Sequence, residues 1–367
     1  MQTAETSIKV KRISHSRIKE VDFSNLEFGK YMADHMTVAD YDNGAWGTPE
    51  IVPFGDLLLS PATMALHYGQ SIFEGMKAFR MKDRNPSPLR GAGGAINIFR
   101  MKKHHERIQK TLDRMCMPLI PEDMFVQSLH SVIELDQAWV PNGEGEALYI
   151  RPLVFATEAR IRVKVSEQYK FIVMNSPVGI YLSKPFKLKV EDYYVRTAEG
   201  GPGFAKCAGN YGGAYYPSQI AREQGYDQVL WTDSKEHQYI DEVGMMNVMF
   251  VINGVLVTPK LNTAILDGVT RDSILTLIRE MGVPVEERKI SVTEVEEAFK
   301  KGTITEAFGT GTAAVVSAIS TINISGIDYT LAAPGPDSLQ LKAKKRLNEI
   351  RLGLADDVYG WNYVIKV

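Results

Sequence analysis

The chain has 367 residues, 44% hydrophobic and 23% charged, ordinary globular values that exclude a disordered or low-complexity protein. Forty-two Lys and Arg against 44 Asp and Glu leave a net charge of −2, without the basic footprint that nucleic acid or an anionic membrane surface requires. Two cysteines, Cys116 and Cys207, exclude a disulfide scaffold and fit a reducing compartment, and the length implies two or three domains.

Residues 1–23 carry Glu5, Glu20 and Asp22 and no apolar run, so neither a secretory signal nor an acid-poor transit peptide is expected. The longest apolar-leaning stretch, 245–257, is broken by Asn247, Asn253 and Gly254 and is too short and polar to span a bilayer. The expectation is a soluble cytoplasmic protein with neither nucleic acid nor membrane as a partner.

Residues 31–40 and 50–54 read as extended. Ser60-Pro61 reads as an N-cap with Pro at the first helical position, opening a helix through His67. A Pro-, Gly- and Arg-rich loop over 83–94 follows, then a strand over 95–99. Helices are expected over 100–115 and 121–139, the second with Glu122 and Asp123 in its first turn, and strands over 148–155 and 169–174. Ser176-Pro-Val-Gly and a further Pro at 185 mark the linker. The predicted domains are therefore 1–178, smaller and N-terminal, a linker over 179–188, and 189–367, larger.

The second half opens with a strand over 188–196 and a Gly-rich loop, then a helix over 211–224 and a strand over 228–232. Strands 246–252 and 255–257 flank Asn253-Gly254, a hairpin signal. A helix over 269–281 puts Ile274, Leu277, Ile278 and Met281 on one face and stops at Gly282. Thr293 and Glu296 read as a capping box. A strand over 304–308, a loop over 309–314, a strand over 315–319 and a helix over 338–352 complete the chain. Many strands are hairpin-like, so the class is mixed α+β in two halves.

Three segments of the second half carry chemistry. Lys206 stands alone among small residues after a Gly-rich turn (Gly200-Gly-Pro-Gly) and before a helix. Taken alone it reads as a loop lysine reaching solvent. Small neighbours also let the backbone approach a flat ligand, and partial burial lowers an ammonium pKa toward nucleophilicity. Glu242 precedes an apolar strand and reads either as a surface carboxylate or as an anchor for a protonated ring nitrogen. Leu266-Asp-Gly268-Val269-Thr270-Arg271 opens a helix and Gly309-Thr-Gly-Thr312-Ala313 forms a second small-residue turn, both suited to a phosphate.

The order lysine, acid, Gly-Val-Thr, Gly-Thr-Gly-Thr-Ala resembles the fold-type-IV pyridoxal-phosphate enzymes, the class IV aminotransferases. Glu242, Gly244, Asn247, Leu256-Val-Thr258 and the 266–271 run match that signature, with Met249 where an aromatic is usual. Leu66-His-Tyr68 through Phe73-Glu74-Gly75-Met-Lys-Ala-Phe79-Arg80, Asn97-Ile-Phe-Arg100, Tyr149-Ile-Arg151-Pro152 and Ser176-Pro-Val-Gly-Ile-Tyr181 narrow the resemblance to the branched-chain amino-acid aminotransferases. It spans about residues 28–316.

The resemblance implies two mixed α/β domains of the D-amino-acid-aminotransferase-like architecture, with the cofactor at the domain interface. Lys206 would hold pyridoxal 5′-phosphate as a Schiff base and shuttle the proton between the substrate Cα and cofactor C4′. Glu242 would keep the ring nitrogen protonated, Tyr211 would bond the phenolic oxygen, and Arg100 would pair with the phosphate. Gly268, Val269 and Thr270 would offer the helix start, and Thr312 a hydroxyl. The side-chain pocket would be walled by Phe28, Phe73, Tyr149 and Tyr181, with Tyr68, Ile161 and Val163 lent by the other subunit of a homodimer with shared active sites. The substrate carboxylate would meet the backbone N–H groups of Thr312 and Ala313. Arg151 would support the pocket, since its spacing from Tyr149 puts both on one strand face. The implied reaction passes the amino group of L-leucine, L-isoleucine or L-valine to 2-oxoglutarate, giving L-glutamate.

Ala314 and Ser317 stand where animal members carry a Cys-x-x-Cys redox pair, so that switch is not expected here. Cys207 is expected as a small packed residue, Cys116 in the core, and His104-His105 on a helix surface. The seven histidines show no metal-ligand spacing, and no metal site is expected. A D-amino-acid aminotransferase and an aminodeoxychorismate lyase share the fold but resemble shorter chains that lack the first-half motifs. A catalytically silent binding protein would bind no visible cofactor. A nicotinamide oxidoreductase fails because Gly91-Ala-Gly-Gly does not follow a strand and open a helix.

Overall fold

Two apolar runs, Ala147–Ala156 and Tyr169–Val178, pair antiparallel along their full length, each too apolar to face water on either side. They centre a ten-stranded sheet. The computed structural model describes residues 8–82, 94–180 and 184–367. The described strands and helices fall into two units, one of 1–181 with 350–367 and the other of 182–349.

In the first unit, in chain order, lie β1 (Lys9–Val10), β2 (His35–Asp42), β3 (Ala45–Trp46), β4 (Glu50–Pro53), α1 (Met64–Tyr68), β5 (Ser71–Phe73), β6 (Met76–Arg80) and β7 (Ile96–Phe99). Helices α2 (Met101–Arg114) and α3 (Glu122–Leu135) and the two central strands, β8 and β9, follow. The sheet runs β1-β4-β2-β9-β8-β6-β7 and ends on the C-terminal strand Asn362–Ile365, with β3 on β2 and β5 on β8.

The division falls inside the expected linker, but the tail does not stay with the second half. Asn362–Ile365 pairs with β7. Asn97 Nδ2 donates to Arg351 O at 2.8 Å and to Asn362 Oδ1 at 2.6 Å, fixing the return. The pattern break expected at Ser176 is absent, because β9 runs on through Pro177 to Val178. An antiparallel ladder skips alternate residue pairs, so a residue without an N–H can be accommodated.

Three local expectations are corrected in this unit. Helix α1 starts at Met64 with Thr63 as its cap position, because Ser60 closes a turn instead, its carbonyl accepting from Thr63 N at 3.0 Å. His104 and His105 are buried, not on the surface. They share the face of α2 that carries Met101, Ile108 and Leu112, the i, i+3, i+4, i+7 stripe that meets the core. Cys116 is exposed rather than in the core, since it lies beyond the helix in a left-handed conformation (φ 53°) that turns the chain off that stripe. Most of the 83–94 loop lies outside the described residues.

The second unit contains β10 (Phe186–Val190), α4 (Gly209–Gly212), α5 (Tyr215–Glu223), β11 (Gln228–Thr232), β12 (Ile240–Val243), β13 (Asn247–Ile252), β14 (Val255–Pro259) and α6 (Val269–Glu280). It continues with β15 (Val285–Arg288), α7 (Val292–Lys300), β16 (Ile304–Gly311), β17 (Val315–Ile324), β18 (Ile327–Thr330) and α8 (Leu339–Arg351), whose end leads the chain back to the first unit. Its sheet order is β12-β11-β10-β17-β16-β13-β14-β15, with β18 on β17. Leu188, Leu230, Val248, Phe250, Ile304 and Ile322 form its buried centre.

The hairpin at Asn253-Gly254 is present, both residues at positive φ (52° and 76°) as a tight two-residue turn demands. Gly212-Gly213 splits the single helix expected over 211–224 in two. The cap of α7 is Ser291, whose side chain accepts from Glu294 N, two residues earlier than the Thr293–Glu296 box expected. Met281 is exposed, because α6 ends before it. Strand β16 extends through Gly311, so the 309–314 loop shortens to a turn at 312–314. No helix among the described residues is long and apolar enough to cross a membrane.

Candidate active site

Strands β10 and β11 are parallel neighbours, and a parallel pair needs a long crossover. Lys206 and Tyr211 lie on that crossover. The loop before α4 is riveted by Asn210, whose Nδ2 donates to Pro202 O at 2.8 Å and Ala205 O at 2.9 Å. That fixes Lys206 against the first turn of helix, where Nζ donates to the Tyr211 hydroxyl at 2.9 Å. Cys207 beside it is buried, as expected of a small packed residue.

Glu242 lies on β12, 2% exposed. Its Oε1 accepts from Asn247 Nδ2 at 3.1 Å and from Leu266 N at 3.0 Å, and its Oε2 is 2.8 Å from Arg196 Nε. Burial pushes its carboxyl above the usual range, and the Arg196, Leu266 and Lys206 contributions only partly pull it back. The carboxylate is thus held in place yet short of positive charge, which is what a protonated ring nitrogen would supply.

β14 and β15 form a second parallel pair, and their crossover carries the helix start expected to cradle a phosphate. Gly268 is the N-cap position of α6 in extended conformation, with Val269 and Thr270 in its first turn. A Cβ at Gly268 would overlap the Asn247 amide oxygen, so the close approach of the helix start to Asn247, the donor to Glu242, requires glycine. Asn247 is also opposite Thr310 in the β13–β16 ladder, which places the Thr312-Ala313 turn beside the same strand. Val315 closes that turn at φ 63°, a strained conformation for a β-branched residue and typical of a functional turn.

In the first unit, four of the expected pocket residues come together. The Phe28 and Tyr149 rings meet edge-on at 4.7 Å between centroids. Arg151 stands over Phe73 at 4.5 Å and donates to the Tyr149 hydroxyl at 3.0 Å, with Tyr149 and Arg151 on one face of β8 as expected. A Cβ at Gly75 would overlap that hydroxyl, so Gly75 lets Tyr149 pass. Tyr68, Ile161 and Val163 are exposed, the last two by 73% and 85%. Tyr181 lies outside the described residues.

Arg100 lies in the first unit. It precedes α2 with φ 58° and its guanidinium stacks on Trp361 at 4.7 Å, in a cavity lined by Lys102, Tyr359 and Tyr363. The arginine beside the Phe73-Glu74-Gly75 corner is Arg107, which bonds both oxygens of the fully buried Glu74 at 2.6 and 2.7 Å.

Arg196, Arg107 and Asn210 were not singled out from sequence, and His104 was expected on a surface. An arginine within a Tyr-Tyr-Val-Arg loop or a charged helix carries no local mark, because its partner lies far along the chain. Only the hydrophobic spacing of α2 could have flagged His104.

A family model described as amino-transferase class IV matches residues 71–322. The chain is 43% identical to branched-chain-amino-acid transaminase 1 of Bacillus subtilis over 93% of this chain and 94% of that protein. It is 42% identical to a probable branched-chain-amino-acid aminotransferase of Staphylococcus epidermidis over 97% and 98%. Among solved structures, the branched-chain aminotransferase of Thermoproteus uzoniensis with norvaline superposes with a TM-score of 0.70 at 25% identity, covering 90% of this chain and 99% of that one.

Proposed function

The chain belongs to the class IV aminotransferases, and from that premise we propose that it transfers the amino group of L-leucine, L-isoleucine or L-valine to 2-oxoglutarate, with pyridoxal 5′-phosphate as cofactor. The observation that carries the reading is a buried Glu242, held by Asn247, Leu266 N and Arg196, in the same unit as a Lys206 whose Nζ donates to the Tyr211 hydroxyl at 2.9 Å.

The residues fit that cofactor. Glu242 suits its ring nitrogen, Lys206 its aldehyde, Tyr211 its phenolic oxygen, and Gly268, Val269, Thr270 and Thr312 its phosphate. The Thr310 hydroxyl, buried without a hydrogen-bond partner, lies in register with Asn247 and offers a further polar group. When bound, the cofactor supplies a carbonyl that accepts the amino group and a ring that delocalises electrons from the substrate Cα.

Lys206 removes the Cα proton as the general base. Tyr211, in hydrogen-bond contact with Nζ, orients that amine. The N–H groups of Thr312 and Ala313 receive the substrate carboxylate. Phe28, Phe73, Tyr149 and Tyr181 select an aliphatic side chain, and Arg151 fixes the Tyr149 hydroxyl.

The resemblance gives Arg100 to the phosphate. A loss of cofactor affinity in Arg100→Ala, with the fold retained, is the expected outcome that tests that role.

The protein acts in the cytoplasm as a homodimer with shared active sites. Support comes from exposed Leu58, Leu66, Tyr68, Ile161 and Val163, on segments joined by the Thr63–Ala159 bridge and the Arg160 N to Ala62 O bond at 2.9 Å. The test is a panel of L-amino acids with 2-oxoglutarate, read by glutamate formation. Activity confined to the branched aliphatic set supports the reading; activity with D-alanine and none with L-leucine defeats it.

A further inference from the structure

Arg196 leaves the turn after β10, where Glu191 Oε1 accepts from the N–H groups of Tyr193 and Tyr194 at 3.1 and 2.9 Å and ends the strand. Its side chain is 7% exposed. Nε lies 2.8 Å from Glu242 Oε2, while one Nη donates to Gly203 O at 3.3 Å and also to Ala264 O. Thr197 Oγ1 reinforces the same Ala264 carbonyl at 2.8 Å.

Three segments therefore meet on one guanidinium. Gly203 belongs to the loop that carries Lys206. Glu242 is the ring anchor. Ala264 belongs to the turn that leads through Leu266 to the start of α6. The packing is tight, since a Cβ at Gly203 would overlap the Ala264 backbone. A lysine could neutralise Glu242 but could not fork between carboxylate and two carbonyls.

We propose that Arg196 is a positioning residue for amino transfer, orienting the Glu242 carboxylate and tying the Lys206 loop to the turn before α6, so that anchor, amine and phosphate cradle are in register before the cofactor arrives. The proposal rests on the reading of this unit as a pyridoxal-phosphate site. The groups facing Glu242 are Arg196, Asn247 on β13, the Leu266 N–H, and at longer range Lys206 and Arg271, with Asp241 beside it on β12. Among the described residues only Arg196 brings a full positive charge into contact, so its removal leaves a buried carboxylate that folds best when protonated.

The test uses cofactor-free protein, with melting temperature followed between about pH 5 and 8. Arg196→Met is expected to lower it by roughly 10 °C at the upper end. An acid whose folded pKa is raised loses stability as pH rises through that value, so the deficit grows with pH. Adding Glu242→Gln recovers most of the loss and removes the added slope. A double variant no better than Arg196→Met, with no added slope, overturns the proposal. Should Arg196→Met not fold, recovery of folded protein on adding Glu242→Gln is the same positive result, and no recovery overturns it. Arg196→Lys keeps the slope of the native protein but binds pyridoxal phosphate about tenfold more weakly, from the lost fork. Native affinity in that variant overturns the tethering role. A native protein that binds no pyridoxal phosphate refutes the site reading and leaves the stability results to stand or fall separately.

Discussion

Each unit buries a glutamate against an arginine, and the two pairs behave oppositely. Glu74 in the first unit resists the upward push of burial because Arg107 bonds both its oxygens and His104 Nδ1 approaches at 2.9 Å, which holds its carboxyl well below the usual range. Glu242 in the second unit is as deeply buried, but burial wins over a single Nε contact, two neutral donors and more distant cations, and its carboxyl is pushed up. A buried carboxylate that is fully compensated is a rivet, holding the Phe73-Glu74-Gly75 corner that sets Tyr149 and Arg151. One that is under-compensated can still receive a cationic donor, and the family's cofactor provides one.

The comparison can be sharpened by substitution. The largest effect is expected outside the pairs, from Lys206→Ala, which lowers transamination by roughly 10³-fold or more while the melting temperature stays near the native value. Near-native turnover there removes the premise on which Glu242 is read as an anchor. Next come the glutamates themselves. Glu74→Gln leaves Arg107 buried without its counter-charge and costs about 3–5 kcal/mol in denaturant unfolding. Glu242→Gln costs far less stability but lowers turnover by about 10²-fold. If Glu242→Gln proves the more destabilising, or Glu74→Gln the more damaging to turnover of the folded enzyme, the division into rivet and anchor is broken.

Tyr211→Phe removes one hydrogen bond to the amine and lowers turnover about tenfold, with little change in cofactor retention. pH gives the smallest effects. Glu74 has a depressed folded pKa, so its contribution is present above the ordinary glutamate value and is lost as pH falls below it; a Glu74→Gln variant shows a flatter acid limb. Asp241 runs the other way. Burial and the charge of Glu242 push it up to about 7, so it costs stability as pH rises through that value, and Asp241→Asn melts higher than the native protein at about pH 8.

Much of the fold was legible because periodicity and turn chemistry are local. The helices at Met101–Arg114 and Val269–Glu280 and the Asn253-Gly254 hairpin follow from spacing alone. The return of Asn362–Ile365 to the first sheet was not legible, because nothing in a short alternating strand names its partner. Nor was the burial of His104, since a charged helix hides which polar residue meets an acid across the core. The same divide holds in the site. Lys206 and Tyr211 are five residues apart and could be linked by eye, and Glu242 was marked by the motif around it. Arg196 and Arg107 make their contacts across the fold, and only three-dimensional distance shows them.

The most direct test is spectroscopic. Protein purified with pyridoxal phosphate is mixed with L-leucine, and the visible band of the bound cofactor is followed, first with the amino acid alone and then after 2-oxoglutarate is added. Loss of the band with L-leucine and its return with 2-oxoglutarate, both absent in Lys206→Ala, is the predicted result. A band that is indifferent to L-leucine, or that responds to D-alanine instead, contradicts the account.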